Sequence, residues 1–277
     1  MTVRLRLDLG YLGTSYSGWA SQPALPTIQE SLEKALATTL RLEPSLVRTV
    51  VAGRTDAGVH AVGQVCHLDV PEKVNTSDHA LRSLTKRVQG ALRTAEISLH
   101  RISVAPEGFD ARFGALSRNY EYRLADVSAR KNPLLAPFTA VASYDLNIEA
   151  MNALGSALCG LHDFASFCRP KVKATTIRTL KEFSWTRDQD GVLVARVVAD
   201  AFCRSMVRSL VGSCVAVGRG KVTQERALEL RDLASRTSEW ATMPAKGLTL
   251  ISIEYPPDAH LAQQAEETRA RRLPATD

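Results

Sequence analysis

The chain has 277 residues, with 35 Lys and Arg against 29 Asp and Glu, a formal net charge of +6. That length suits one large domain or two of ordinary size, and the modest basic excess permits a nucleic-acid partner without requiring one. No apolar run reaches a bilayer span, so no membrane partner is expected, and the five cysteines, with no Cys-x-x-Cys pair, read as reduced core residues of a cytoplasmic protein.

In chain order, Val3, Leu5, Leu7 and Leu9 alternate with Arg4, Arg6 and Asp8, the period of a half-buried strand and not of a signal peptide. Thr27 opens a Thr-x-x-Glu capping box with Glu30, and Ile28, Leu32, Leu36 and Leu40 repeat at helical spacing behind it. The apolar runs Leu46 to Ala52 and Val62 to Val70 predict strands on either side of a loop. A helix follows over Ser77 to Leu92, with Leu81, Leu84, Val88 and Leu92 on one face, and a strand over Ile97 to Val104. The order β-α-β-β-α-β is that of a ferredoxin-like split βαβ unit.

The second half repeats this order. Tyr120, Tyr122 and Leu124 alternate as a strand, and Asn147 caps a helix that turns Ile148, Met151, Leu154 and Leu158 inward. Strands over Thr175 to Thr186 and Val192 to Ala199 meet at the turn Asp188-Gln-Asp-Gly191. Helices over Cys203 to Val217 and Gln224 to Leu233, then a strand over Leu248 to Ile253, complete it. The expected fold is therefore α/β of the α+β kind: pseudo-duplicated ferredoxin-like or RRM-like halves, 1–106 and 107–256, with antiparallel sheets and flanking helices. Beyond Pro256-Pro257 the segment 257–277 is polar, carries Arg269, Arg271 and Arg272, and is expected to be a disordered or loosely helical tail.

The loop Gly53-Arg-Thr-Asp-Ala-Gly-Val-His-Ala61 carries the chemistry. Glycines at both shoulders let the backbone turn sharply and let a ligand approach closely. Between them Asp56 sits two residues from the guanidinium of Arg54, which favours an ionised carboxylate able to attack an electrophilic carbon. No second carboxylate and no metal-ligand pair lies nearby, so no metal is expected and a single nucleophile is favoured over a two-carboxylate hydrolase. A tight turn with a surface ion pair is the plainer alternative. His60 has no partner at zinc spacing and reads as a structural hydrogen-bonder.

This loop closely resembles the signature loop of the tRNA pseudouridine synthase A family, in which the aspartate is the catalytic nucleophile. Four further stretches resemble the family's motifs, in the same order: Tyr11-Leu-Gly-Thr-Ser-Tyr-Ser-Gly-Trp19 with Gln22-Pro23 and Thr27-Ile-Gln29; Phe109-Asp-Ala-Arg-Phe113 with Arg118-Asn-Tyr120-Glu-Tyr122; His162-Asp-Phe-Ala-Ser-Phe167; and Phe202-Cys-Arg-Ser-Met-Val-Arg208 with Gly212. Two positions depart from the common pattern: Ala20 where glutamine is frequent, and Ser205 where histidine is frequent. The resemblance implies isomerisation of uridine to pseudouridine in the anticodon arm of tRNA at positions 38 to 40, in a catalytic cleft between the halves of a homodimeric enzyme. No cofactor is implied, because an isomerisation needs neither a redox group nor an energy source. Asp56 is implied as nucleophile; the residues leave open whether it attacks sugar or base or assists elimination.

The resemblance also makes Tyr120 the active-site tyrosine, although Tyr122 lies on the same strand face by period 2. It makes Arg208 the arginine that pairs with the catalytic aspartate, with Arg204 four residues earlier on the same helical face. Arg54 is left to fill the space of a displaced base or to grip a phosphate. Two basic clusters are candidates for the RNA backbone: Arg82, Lys86 and Arg93, and Arg169, Lys171 and Lys173. Two other classes compete. A non-catalytic RNA-binding module would use Tyr120 and Tyr122 as stacking platforms, but has no use for a carboxylate that repels RNA, and the RRM aromatic submotif is absent. A glycoside hydrolase would want a second carboxylate.

Overall fold

The computed structural model describes residues 1–169 and 175–269. The described residues divide into two compact units, one of 1–116 with 250–269, the other within 117–249. The sequence boundary at 106/107 thus falls ten residues short. Residues 107–116 stay with the first unit because Phe109 and Ala111 are buried in its core with Ala52, Val65 and Leu261.

In the first unit, β1 (Thr2–Tyr11) lies between β3 (His60–Pro71) and β4 (Ile97–Val104), antiparallel to both. The short β2 (Val50–Val51) pairs with the outer side of β3. The order β4-β1-β3-β2 is the split βαβ arrangement the sequence predicts. Helix α1 (Ile28–Leu40) starts where Thr27 accepts from the Glu30 amide, and α2 (Asp78–Leu92) where Ser77 accepts from the Ala80 amide. The run Leu46 to Ala52 is a strand only at its end, because Pro44 starts a 3₁₀ turn over Pro44–Leu46.

The second unit holds β5 (Ser117–Ala125), the two-residue β6 (Ala140–Val141), α3 (Ile148–Leu158), β7 (Gly160–Asp163), β8 (Ile177–Arg187) and β9 (Leu193–Ala199). Its sheet runs β5-β9-β8-β7, each pair antiparallel. The Asn147 cap and the Asp188–Gly191 turn stand where the sequence puts them, with Asn147 accepting from the Ala150 amide (2.8 Å) and Gly191 donating to the Asp188 carbonyl (2.9 Å). Helices α4 (Met206–Gly218) and α5 (Gln224–Asp232) follow. In β10 (Leu248–Glu254), residues from Leu250 onward belong to the first unit.

Part of the tail is helical, and that helix is packed and not loose. Leu261–Arg269 is a helix, α6, with Leu261 and Ala265 buried one turn apart. Arg269 closes it onto Asp110 at 2.9 Å and lies over the Phe113 ring. The composition is polar, yet two apolar residues at i and i+4 suffice for one buried stripe. The rest of that segment, with Arg271 and Arg272, lies outside the described residues. Among the described residues no helix is long and apolar enough to cross a membrane.

Candidate active site

Asp56 sits half-buried in the loop between β2 and β3, with Arg54 exposed beside it. The N-terminal motif holds this loop in place. The Thr55 carbonyl accepts from the Trp19 amide (3.1 Å), and the Gly58 amide donates to the Tyr16 carbonyl (3.3 Å). The Val59 amide returns to the Asp56 carbonyl (3.2 Å), closing a turn around the carboxylate. Beneath it, the Tyr11 hydroxyl meets Thr55 Oγ1 at 2.8 Å and accepts from Gln64 Nε2 at 3.0 Å. The same Gln64 amide donates to the Gly53 carbonyl at 2.9 Å, so one buried side chain ties strand β1 to the start of the loop. His60 is the structural hydrogen-bonder expected, its Nδ1 accepting from the Gly13 amide at 3.0 Å. Gly13 itself admits no side chain, since a Cβ there would stand 2.0 Å from the Val59 carbonyl oxygen.

Burial pushes the Tyr11 phenol up to about 12, so it remains a hydrogen-bond donor throughout the neutral range. Tyr11→Phe should therefore leave two polar groups short of a partner. We expect a loss of about 1–3 kcal/mol in urea unfolding, and a lower kcat with an unchanged KM as the loop loosens. A variant with wild-type stability would show that the hydroxyl network does not hold the loop.

The Phe109–Phe113 motif proves to be a structural turn. Asp110 Oδ1 accepts from the amides of Arg112 (2.8 Å) and Phe113 (2.9 Å), and the Ala111 amide donates to His67 Nδ1 at 3.0 Å. Burial alone would raise the Asp110 carboxyl; the two amides, His67 and Arg269 together hold it below its usual range.

In the second unit, Tyr120 and Tyr122 both lie on β5, opposite Val197 and Ala195 of β9. Their environments separate them. Tyr122 is fully enclosed, its hydroxyl donates to the Pro244 carbonyl at 3.0 Å, and burial raises its pKa. That phenol is committed to the fold. Tyr120 instead stands edge-on to Phe202, ring centroids 5.2 Å apart. With both rings buried, neither is the open stacking platform that a binding module would need.

Arg208 is the third residue of α4, half-buried, its Nη1 donating to the Met243 carbonyl at 3.2 Å and its Nη2 to Ser205 Oγ at 3.4 Å. The Met243 amide returns to the Arg208 carbonyl at 3.1 Å. Arg204 does not share its face. Ser205 caps α4 with a left-handed φ of 64°, so the helix begins only at Met206 and Arg204 lies in the preceding turn, exposed. Gly212 lets α4 press against the following segment, a Cβ there falling 2.0 Å from the Ala241 carbonyl oxygen. The His162–Phe167 motif meets the same segment: Phe167 stacks on Trp240 at 5.2 Å and 21°.

The segment Trp240–Pro244 thus supports both Arg208 and Tyr122, and the sequence reading missed it. Its signal was available in Trp240, Pro244 and Gly247, a bulky ring followed by two chain-bending residues before a strand.

The basic clusters fare unevenly. Arg82 and Lys86 share the exposed face of α2, but Arg93 is the left-handed C-cap of that helix, φ 52°, and leaves the stripe. Arg169 is exposed after the 3₁₀ turn Ala165–Phe167; Lys171 and Lys173 lie outside the described residues. The cysteines are a correction. Cys168 and Cys203, expected as reduced core residues, are joined as a disulfide, their Cα atoms 5.8 Å apart, while Cys66, Cys159 and Cys214 are free. Among the described residues no group of three or more His, Cys, Asp or Glu is arranged to hold a metal ion.

Residues 155–256 match the family model described as tRNA pseudouridine synthase. Over 98% of this chain and 98% of the relative, the sequence is 50% identical to tRNA pseudouridine synthase A of Leifsonia xyli. It is 47% identical to that of Frankia casuarinae, over 99% and 97%, and 44% identical to that of Mycobacterium leprae, over 98% and 96%.

Proposed function

The chain belongs to the tRNA pseudouridine synthase A family, and from that premise we propose that it isomerises uridine to pseudouridine at positions 38 to 40 of the tRNA anticodon arm, with Asp56 as the nucleophile. In this reaction the bond from uracil N1 to ribose C1′ breaks, the base turns, and C5 bonds to C1′. The C5 proton leaves and N1 regains one, so atoms and electrons balance without a cofactor. Asp56 takes the nucleophile's part because a carboxylate can form and release an ester-like bond during the base rotation. Arg54, exposed on the same loop, occupies the position of the displaced base or grips a flanking phosphate. Tyr120 receives or relays the C5 proton. Arg208 supplies positive charge to the reaction, held by the Met243 carbonyl. A homodimer in which one tRNA reaches across both subunits completes the reading.

The observation that carries this reading is the Asp56 loop itself: a lone carboxylate on a turn that the N-terminal motif fixes through backbone and buried side-chain hydrogen bonds. A turn with only a surface ion pair would have no use for such support. The test is direct. Purified protein incubated with unmodified tRNA transcript should produce pseudouridine at positions 38 to 40, read by carbodiimide mapping and mass spectrometry. Uridines unchanged there after prolonged incubation would overturn the proposal.

A further inference from the structure

The second unit contains a cavity of about 320 Å³ beside the supports of Arg208. Arg169 and Arg236 line it, together with the hydroxyl-bearing Ser205, Thr237 and Ser238 and the indole of Trp240. Among the described residues neither Arg169 nor Arg236 forms an ion pair. The nearby carboxylates are already engaged: Glu239 by Arg226 at 2.7 Å, and Asp232 by Arg231 at 2.7 Å. Among the described residues the cavity lining is therefore cationic and contains no acidic side chain.

Its walls are fixed before any ligand arrives. The Arg169 amide donates to the Arg204 carbonyl at 3.0 Å, and the disulfide of Cys168 with Cys203 ties the same two segments one residue earlier. Trp240 is stacked on Phe167 and donates its indole N–H to Ser209 Oγ at 3.1 Å. Each guanidinium is a planar fork of N–H donors suited to a phosphate oxyanion, and the lining hydroxyls of Thr237 and Ser238 add further hydrogen-bonding groups. A metal cation would be repelled here. A nucleobase would need an open aromatic face, and Trp240, stacked on Phe167, is only 6% exposed.

We infer that this cavity binds a phosphodiester of the RNA backbone, with Arg169 and Arg236 as its forks. The inference rests on the RNA substrate of the proposed function; it keeps Arg169, already a candidate for the RNA backbone, and adds Arg236 and the cavity that both residues line. Recognition by phosphate fixes the register of an RNA on the protein and carries no base preference.

The test uses the full-length protein and an anticodon stem-loop. Arg236→Met, and separately Arg169→Met, should lower affinity about three- to tenfold and reduce the slope of log affinity against log salt by about one. Lys131→Met removes the same charge from an exposed position outside the cavity and should have a markedly smaller effect. In parallel, the ¹⁵N indole signal of Trp240 should shift on adding pentauridylate, and should not shift with inorganic phosphate at equal phosphate concentration. A Trp240 shift with inorganic phosphate alone would mark a free-anion site and overturn the inference. So would arginine variants that match Lys131→Met while the wild type still isomerises uridine. If the wild type fails to isomerise but pentauridylate still moves Trp240 and Arg169→Met abolishes that shift, the cavity assignment stands and the enzymatic reading falls. Should Arg236→Met fail to fold, Arg169→Met and the wild-type titration decide.

Discussion

Asp56→Asn should abolish pseudouridine formation while leaving the fold and RNA binding in place. The amide has nearly the size and shape of the carboxylate but is not a nucleophile, so we expect kcat to fall by at least about 10³-fold. The loop should survive. Its supports run through the Thr55 carbonyl, the Gly58 amide, the Tyr11 hydroxyl and the Asp56 backbone carbonyl, none of which the substitution removes. The unfolding free energy from urea titration should therefore change by no more than about 1 kcal/mol, the scale of one hydrogen bond at a half-buried side chain. Affinity for tRNA should hold or rise slightly, because one negative charge facing a polyanion is gone. Release of tritium from 5-tritiated uracil in tRNA reads the chemistry, and filter binding reads the complex. Substantial tritium release by the variant would move the nucleophile to another residue.

The legible parts of the fold were those set by local chemistry. The Thr27 and Asn147 caps, the alternation in β1 and β5, and the Asp188–Gly191 turn each place an element within about three residues, because cap, turn and alternation involve only near neighbours. The illegible parts depend on contacts distant in sequence. Nothing near Leu261 reveals that it will join Phe109 in one core, so the tail read as a loose segment. Nothing near Cys168 points to Cys203, 35 residues away. The start of α4 failed for a different reason. Cys203 to Val217 is apolar enough to be helical throughout, but Ser205 takes a left-handed conformation that helical periodicity cannot display. At the candidate site, the Asp56 loop was visible as residues. Its supports were visible only as a motif, and the structure explains that motif: Tyr11, Gly13, Tyr16 and Trp19 are the bracket that holds the loop.

Arg208→Met should be the second most damaging change, lowering kcat by about 10²- to 10³-fold, the usual effect of removing one preorganised electrostatic group from a reaction site. Methionine keeps much of the unbranched stem and its packing, and loses the five N–H donors and the charge. The structural cost should be modest, about 1–2 kcal/mol, because the hydrogen bonds to the Met243 carbonyl and to Ser205 Oγ are lost while the backbone bond from the Met243 amide remains. Catalysis and stability should therefore separate, which a purely structural arginine would not allow. Arg208→Lys sharpens the test. It restores the charge without the planar fork, so it should recover part of the rate if charge is the contribution and almost none if two-pronged donor geometry is. Arg204→Met provides the contrast. That residue is exposed in the turn before α4 and makes no side-chain hydrogen bond or ion pair among the described residues, so its loss should weaken tRNA binding mildly and leave kcat alone. Equal and mild losses from Arg204→Met and Arg208→Met would remove Arg208 from the chemistry. The pair would then be two cations serving the RNA backbone, with the charge for the reaction supplied elsewhere.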